Sequence, residues 1–181
     1  DLAAGAIYAD RTTPSGVKNA GAVYLFRPGE MNGLSAPGSD PNADPAVTAD
    51  PNTSAASRTI WGTRLWDELG FALAAGDVTG DGWDDLVAAA RWADRNQNNF
   101  NEVDEGAAYM FSGATVVSDP NAIYLDCSDP PACNNPTAVD AAIFGGDYLN
   151  SRSDEVGFSL AVGDFNQASV FADIALSSVT Q

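Results

Sequence analysis

The 181-residue chain has 25 acidic and 8 basic side chains, a formal net charge of −17, and no histidine. This charge disfavours binding to nucleic acid or anionic membranes, which attract basic patches. The absence of histidine excludes histidine-containing catalytic triads and histidine–zinc sites. The length allows one moderate hydrophobic core, and no apolar run is long enough to span a membrane.

Two patterns near the N-terminus recur further along the chain. Residues 1–10, DLAAGAIYAD, match residues 85–94, DLVAAARWAD, and residues 21–26, GAVYLF, match residues 106–111, GAAYMF. Their alternating apolar residues predict short β-strands. The chain is therefore predicted to begin inside a repeat, with Asp1 in the position that Asp85 holds in the next repeat.

A long polar segment separates these strands from the second repeat. Residues 27–57 are rich in Pro, Gly, Ser, Asn and Asp, which predicts a surface loop that serves either as a ligand-binding surface or as a solvated insertion. Residues 59–62, TIWG, then predict an outer strand, and residues 64–68 predict the connection to the next repeat. The four tryptophans are predicted to pack; the alternative for an exposed one is a carbohydrate platform.

Residues 77–85, DVTGDGWDD, place oxygen-bearing side chains at alternate positions. Calcium takes about six to eight oxygen ligands, backbone carbonyls included, so this loop predicts a calcium site. The predicted ligands are the side chains of Asp77, Thr79, Asp81 and Asp85 and the backbone carbonyl of Trp83. Gly82 lies where the loop must turn, and glycine adopts a positive φ without steric cost. An EF-hand is disfavoured because Ala88 occupies the position of its final glutamate. The alternative is a plain acidic turn.

The remainder of the second repeat contains the only two cysteines, Cys127 and Cys133. They flank a proline-containing loop that a disulfide would close, which implies an oxidising, extracytoplasmic compartment. Their spacing does not suit C-x-x-C redox chemistry, and two thiols alone make a poor zinc site. Residues 122–126 predict a small extra strand, and residues 141–145, AAIFG, predict the outer strand of the second repeat.

A third repeat begins at residue 156, where VGFSLAVGD echoes residues 69–77, LGFALAAGD. In the loop that follows, Asp164, Asn166 and Asp173 are weaker candidate metal ligands, as is Asp1 at the start of the chain. This loop departs from the first one because Ala168 replaces the central aspartate, the glycine is absent, and Asp173 comes one residue late. We expect no strong metal site there.

The order of these motifs resembles the FG-GAP repeat of integrin-α-type β-propellers. Leu69-Gly70-Phe71 stands for the Phe-Gly pair, Gly106-Ala107-Ala108 stands for Gly-Ala-Pro, and the D-x-D-x-D-G-x-x-D-type loop lies between them. The resemblance implies an all-β fold of antiparallel four-stranded blades with structural calcium. It divides the chain into a partial blade of three strands at 1–68, a complete blade at 69–155, and the first two strands of a third blade at 156–181.

These strands are too few for a ring, since propellers close with about four to eight blades. Three explanations are open: the chain is a fragment of a longer polypeptide, several copies complete a ring, or copies join end to end as a fibre. The fragment is the favoured interpretation. Open sheet edges would permit the other two, because an unpaired edge invites strand pairing.

Three functions follow as hypotheses. The first is an extracellular or cell-surface module, stabilised by calcium, that binds a protein or carbohydrate ligand through loops such as 27–57 and 112–140. The second is a secreted filament, sheath or surface-layer subunit that binds copies of itself. The third is a non-catalytic module of a polysaccharide- or lipid-degrading enzyme. Catalysis by this chain is not expected, because the acidic pairs Asp67/Glu68 and Asp104/Glu105 would point to opposite faces of a strand.

Overall fold

The chain forms two four-stranded β-sheets and a two-stranded sheet in a computed structural model. The structure describes residues 1–11, 17–27, 56, 58–62, 64–93, 104–118, 123–125, 139–145, 154–166 and 171–179. Its elements are β1 (Leu2–Ala6), β2 (Ala22–Phe26), β3 (Arg58–Trp61), β4 (Leu69–Gly76), β5 (Asp85–Ala90), β6 (Ala107–Phe111), α1 (Gly113–Ser118), β7 (Ile123–Tyr124), β8 (Ala141–Phe144), β9 (Ser159–Gly163) and β10 (Asp173–Ser177).

The first sheet has the strand order β1-β2-β3-β7. β1, β2 and β3 pair antiparallel, whereas β7 pairs parallel with β3 through Ile60 and Ile123. The extra strand predicted at 122–126 therefore exists, but it adds to the sheet before its own repeat. The helix α1 was not predicted; its residues fall in a segment interpreted from sequence as loop.

The second sheet has the order β4-β5-β6-β8, and β9 and β10 form the third as an antiparallel hairpin. The register repeats: Leu2 lies opposite Phe26 in the first sheet, and Leu86 lies opposite Phe111 in the second. The predictions of an all-β fold with antiparallel blade-like sheets are confirmed, with the β3–β7 pair as the exception among the described strands. These strands form no closed ring.

Alanine, branched aliphatic and aromatic side chains build the core between the first two sheets. All six residues of β5, DLVAAA, are buried, which means that both faces of this strand are covered. A strand covered on both faces carries a continuous apolar run rather than an alternation, as LVAAA does here. An edge-to-face aromatic pair recurs in each four-stranded sheet, Tyr24 with Trp61 and Tyr109 with Phe144. The outer strands predicted at TIWG and AAIFG are thus anchored by equivalent aromatic residues.

The junctions between successive sheets also repeat. Gly21 forms a parallel bridge with Leu69, and Gly106 forms the same bridge with Val156. Leu69 N–H donates to the Ala20 carbonyl at 3.1 Å, and Val156 N–H donates to the Glu105 carbonyl at 3.0 Å. These backbone contacts join each four-stranded sheet to the segment that begins the next repeat, so the repeats seen in the sequence are also repeats of the tertiary contacts.

Candidate functional site

The loop at 77–84 joins the antiparallel strands β4 and β5, and Gly76 faces Asp85 where the hairpin closes. The carboxylate of Asp77 organises the first half of this loop. Its Oδ1 accepts the N–H groups of Gly80 at 2.6 Å and Asp81 at 3.0 Å, and its Oδ2 accepts that of Gly82 at 2.9 Å. The backbone therefore curls around the first predicted ligand.

Two glycines make this curl possible. Gly80 has a φ of 74° and Gly82 a φ of 87°, values that a residue with a Cβ adopts only with backbone strain. The predicted positive φ of Gly82 is confirmed. Gly80 was not singled out from the sequence, although its place between Thr79 and Asp81 in an Asp-rich turn is typical of such a position.

Asp85, the last predicted ligand, is completely buried. Its Oδ2 accepts the N–H groups of Val78 at 2.9 Å and Thr79 at 2.8 Å, and its Oδ1 accepts that of Gly113, the first residue of α1, at 3.0 Å. One carboxylate thus connects the loop, β5 and the segment after β6. Sequence reasoning missed the contact with Gly113, since nothing in the loop pattern points to a partner so distant along the chain.

The remaining predicted ligands lie at the surface. Asp81 is exposed, and its Oδ1 accepts the N–H of Trp83 at 2.9 Å. Thr79 is also exposed, and its hydroxyl lies 3.5 Å from Oδ1 of Asp85. The Trp83 side chain is 61% exposed, so the prediction that all four tryptophans pack is wrong here, and it is wrong also for Trp66 at 48%.

The loop's donor chemistry fits a hard cation, although its carboxylates are engaged with backbone N–H groups. An ionised carboxylate has about four acceptor positions, and Asp77 and Asp85 each accept three N–H groups, while Asp81 accepts one. The Thr79 hydroxyl, 3.5 Å from Asp85, is a fourth donor to that carboxylate, so oxygen lone pairs remain on Asp77 and Asp81. Within the part of the chain that the structure describes, no set of three or more His, Cys, Asp or Glu side chains is already arranged to hold a metal ion.

The corresponding loop of the third sheet is built around its last carboxylate. Asp173 accepts the N–H of Phe165 at 3.0 Å, and both of its oxygens accept the side-chain amide of Asn166, at 3.1 and 2.9 Å. Asn166 thus presents an N–H donor to Asp173. Asp164 directly follows β9 and Asp1 is exposed, whereas residues 167–170 lie outside the described residues.

The predicted disulfide partners, Cys127 and Cys133, lie outside the described residues, so the disulfide stays a prediction. The acidic pairs considered for catalysis precede strands β4 and β6, Asp67/Glu68 within the connection predicted at 64–68, so the argument from the two faces of a strand does not apply to them. Asp67, Glu68 and Glu105 are buried. Glu68 and Asp104 have positive φ values of 55° and 58°.

At this other end of β4, a charged cluster connects the second and third sheets. The guanidinium of Arg91 lies 3.0 Å from Glu68 and 4.0 Å from Glu155, and it stacks 4.3 Å from the ring centres of Phe71 and Trp92. Burial raises the pKa of Glu68, and the charge of Arg91 only partly opposes this. Burial, followed by the charge of Glu155, also raises the pKa of Asp104. The sequence did not indicate this cluster.

Blade-like four-stranded sheets, repeated junctions and an acidic hairpin loop define the class: a repeat protein built from β-blades. Residues 69–110, which contain β4, the loop, β5 and all but the last residue of β6, match the family described as FG-GAP repeat. This segment is therefore an FG-GAP repeat, as its motifs indicated. Such repeats belong to propeller-type modules that are often extracellular, and they often bind calcium.

No curated protein matches the chain. A search of the described residues found no helix with the length and apolarity needed to cross a membrane.

Proposed function

We propose that this chain belongs to an extracellular FG-GAP propeller module that calcium stabilises and that serves adhesion or ligand binding. The calcium ligands would be Asp77, Thr79, Asp81, Asp85 and the carbonyl of Trp83. The bound ion would supply positive charge among carboxylates that otherwise repel one another. The observation that carries the proposal is the loop itself, in which Asp77 and Asp85 hold the backbone of 78–82 in a closed curl while Asp77 and Asp81 keep lone pairs available.

The three aspartates of the proposed site have different roles. Asp77 and Asp85 fix the shape of the loop through backbone N–H groups, and Asp85 also binds it to α1. Asp81 is exposed and its carboxylate accepts one N–H, that of Trp83, so this carboxylate is the one most available to a cation. Calcium needs several oxygens from a flexible set of ligands, which these residues offer.

A partner would meet the long loops rather than the metal loop. The segments 27–57 and 112–140 are the predicted binding surfaces, and most of both lie outside the described residues. The proposed partner is a protein or a carbohydrate, and the FG-GAP repeat at 69–110 supports the protein, because FG-GAP domains generally mediate protein interactions. We propose no catalytic residue in this chain.

The calcium site is tested by comparing Asp81→Ala with Asp84→Ala. Both remove one exposed negative charge from the same loop, but Asp84 is not a proposed ligand. We expect Asp81→Ala to weaken calcium binding by about tenfold or more, since even the loss of a residue that only supports a ligand costs about 10- to 100-fold. Calcium titration by calorimetry, with melting temperatures in calcium and in chelator, gives the measurement.

Asp84→Ala should change calcium binding much less, because it alters only the local charge. If Asp81→Ala melts at the parent's temperature in calcium, the proposed site is wrong. Equal weakening by both variants would indicate a general charge effect rather than coordination.

Self-assembly is the alternative function. β1 lies at the edge of its sheet and β10 at the edge of the hairpin sheet, and unpaired edges are able to pair with another chain. Light scattering after size-exclusion chromatography, in calcium and in chelator, separates the two functions. A monomer under both conditions favours the ligand-binding module, whereas a large assembly that chelator dissolves favours a filament or sheath subunit.

A further inference from the structure

The proposed metal loop is covered on one side by the hairpin of the third sheet. The aromatic ring of Phe171, in the β9–β10 connection, lies directly over Gly80, so that a Cβ on Gly80 would overlap the ring. The next residue, Ala172, donates its N–H to the carbonyl of Asp77 at 2.8 Å. A Cβ built on Gly76 would lie 2.6 Å from Val162 of β9. The third sheet therefore contacts the loop at its start and at its turn.

These contacts fall on the residues that shape the first ligand. Gly80 is the residue whose N–H makes the shortest hydrogen bond to the Asp77 carboxylate, at 2.6 Å. Ala172 holds the backbone of Asp77 itself. The ring of Phe171 is 46% exposed, so about half of its surface is covered in this position. Movement of the β9–β10 hairpin away from the loop would remove two contacts, the Phe171 ring on Gly80 and the hydrogen bond from Ala172 to the Asp77 carbonyl.

The geometry points to Phe171 as a positioning residue for the metal loop: it holds Gly80, and through it the Asp77 carboxylate, in the arrangement that receives a cation. Calcium binding at 77–85 and docking of the third sheet are then coupled, each favouring the other, because coupling between two binding events is reciprocal. This inference rests on the proposed calcium site. It attributes part of the calcium affinity of the loop 77–85 to Phe171, a residue of the neighbouring repeat.

The test compares Phe171→Ala with Phe165→Ala in the full chain. Phe165 belongs to the same connection and is 59% exposed, its N–H donates to Asp173, and its ring lies near Gly163 of β9. We expect Phe171→Ala to weaken calcium binding, measured by calorimetry with calcium chloride, by about fivefold or more, the low end of typical coupling between sites. Phe165→Ala should bind calcium like the parent, and Phe171→Tyr should restore binding.

A merely structural role for Phe171 predicts a different pattern. It would lower the melting temperature equally in calcium and in chelator, whereas a positioning role reduces the rise in melting temperature that calcium produces. If the parent binds calcium and Phe171→Ala binds it equally well, the inference is overturned and the proposed site stands. If the parent binds no calcium, the proposed site fails, and this inference fails with it.

The two loop glycines provide a second, independent measurement. Gly80 and Gly82 have similar positive φ values, but a Cβ on Gly82 meets nothing within 4 Å. Gly80→Ala and Gly82→Ala therefore carry similar backbone strain, and only the first displaces the Phe171 ring. We expect Gly80→Ala to weaken calcium binding more than Gly82→Ala, with the excess disappearing in the Phe171→Ala background. An excess that persists there would contradict the contact.

Discussion

The two corresponding hairpin loops, 77–85 and 164–173, share one feature and differ in another. In both, the last aspartate accepts backbone N–H groups from the start of the loop: Asp85 from Val78 and Thr79, and Asp173 from Phe165. Only the first loop also has the pair of positive-φ glycines that lets its opening aspartate gather three N–H groups. The sequence at 167–170, QASV, contains no glycine.

The difference between the two loops shows that closing the hairpin and shaping the metal loop depend on different residues. A carboxylate at the start of the second strand closes the hairpin without any metal, because backbone N–H groups satisfy it. The curl around the first carboxylate needs residues that adopt a positive φ, and Gly80 and Gly82 provide them. An acidic loop that lacks these glycines thus retains the hairpin closure.

The largest effect is expected from Asp85→Ala compared with Asp173→Ala. Asp85 is completely buried and satisfies three N–H groups on two segments of the chain. A buried donor that loses its acceptor costs about 1–3 kcal/mol, so we expect Asp85→Ala to lower the free energy of unfolding by about 3–5 kcal/mol. Urea denaturation in chelator measures this effect without any contribution from metal.

Asp173 is half-buried and satisfies one backbone N–H and one side-chain amide. We expect Asp173→Ala to cost about 1–2 kcal/mol by the same reasoning. Equal losses from the two variants would show that burial and the contact with Gly113 add nothing, and would remove the distinction between the loops.

A smaller effect is expected at the other end of β4, from Arg91→Met. Arg91 is the cation that pairs with Glu68, whose side chain is completely buried, and it stacks on Phe71 and Trp92. Breaking a buried ion pair costs about 3–5 kcal/mol, and the partial exposure of Arg91 reduces this to about 2–3 kcal/mol. Methionine keeps much of the apolar contact with the two rings, so the loss of stability should result mainly from removing the positive charge of Arg91.

Urea denaturation of Arg91→Met and of Arg91→Met/Glu68→Gln provides the check. Removal of the buried carboxylate charge should recover part of the loss, since the neutral amide no longer needs a cation. A double variant that is no more stable than Arg91→Met would contradict the assignment of the effect to an unpaired Glu68.

The smallest effect is a pH dependence that Glu68 contributes. Its pKa in the folded state is raised above the ordinary value of 4.5 by burial. Between these two pKa values the folded state binds more protons than the unfolded state, so this carboxyl lowers stability as pH rises through the window. We expect the stability of the parent relative to Glu68→Gln to increase as the pH falls towards 4.5 and to level off below it.

Urea denaturation of both proteins at a series of pH values measures this difference. The other carboxylates cancel in the comparison, provided that the substitution leaves their surroundings unchanged. A difference that does not vary with pH, or one that grows as the pH rises, would contradict the raised pKa.

Local patterns predicted much of the fold. The alternating segments around GAVYLF and GAAYMF, the outer strands and the acidic hairpin loop depend on residues close in sequence, so their structures could be read from spacing and turn chemistry. The repeat at 69–110 was recognised by the order of its motifs for the same reason. The positive φ of Gly82 followed from its place in the loop.

Apart from the helix α1 and the positive φ of Gly80, the parts that sequence reasoning missed join segments distant along the chain. The hydrogen bond from Gly113 to Asp85 and the pairing of β7 with β3 depend on which distant segments meet within a sheet. The position of Arg91 between Glu68 and Glu155 depends on contacts between two sheets. The exposure of Trp83 was missed for the same reason, because whether a tryptophan is covered depends on its neighbours in space.

The sequence by itself thus determined the strands, their repeat and the acidic loop, because hydrogen bonding and turn geometry act over a few residues. Only the tertiary structure decided which carboxylate is buried, which charges meet, and that Phe171 of the third sheet lies on Gly80 of the loop. Those outcomes depend on side chains brought together by packing between sheets, for which a one-dimensional pattern carries no signal.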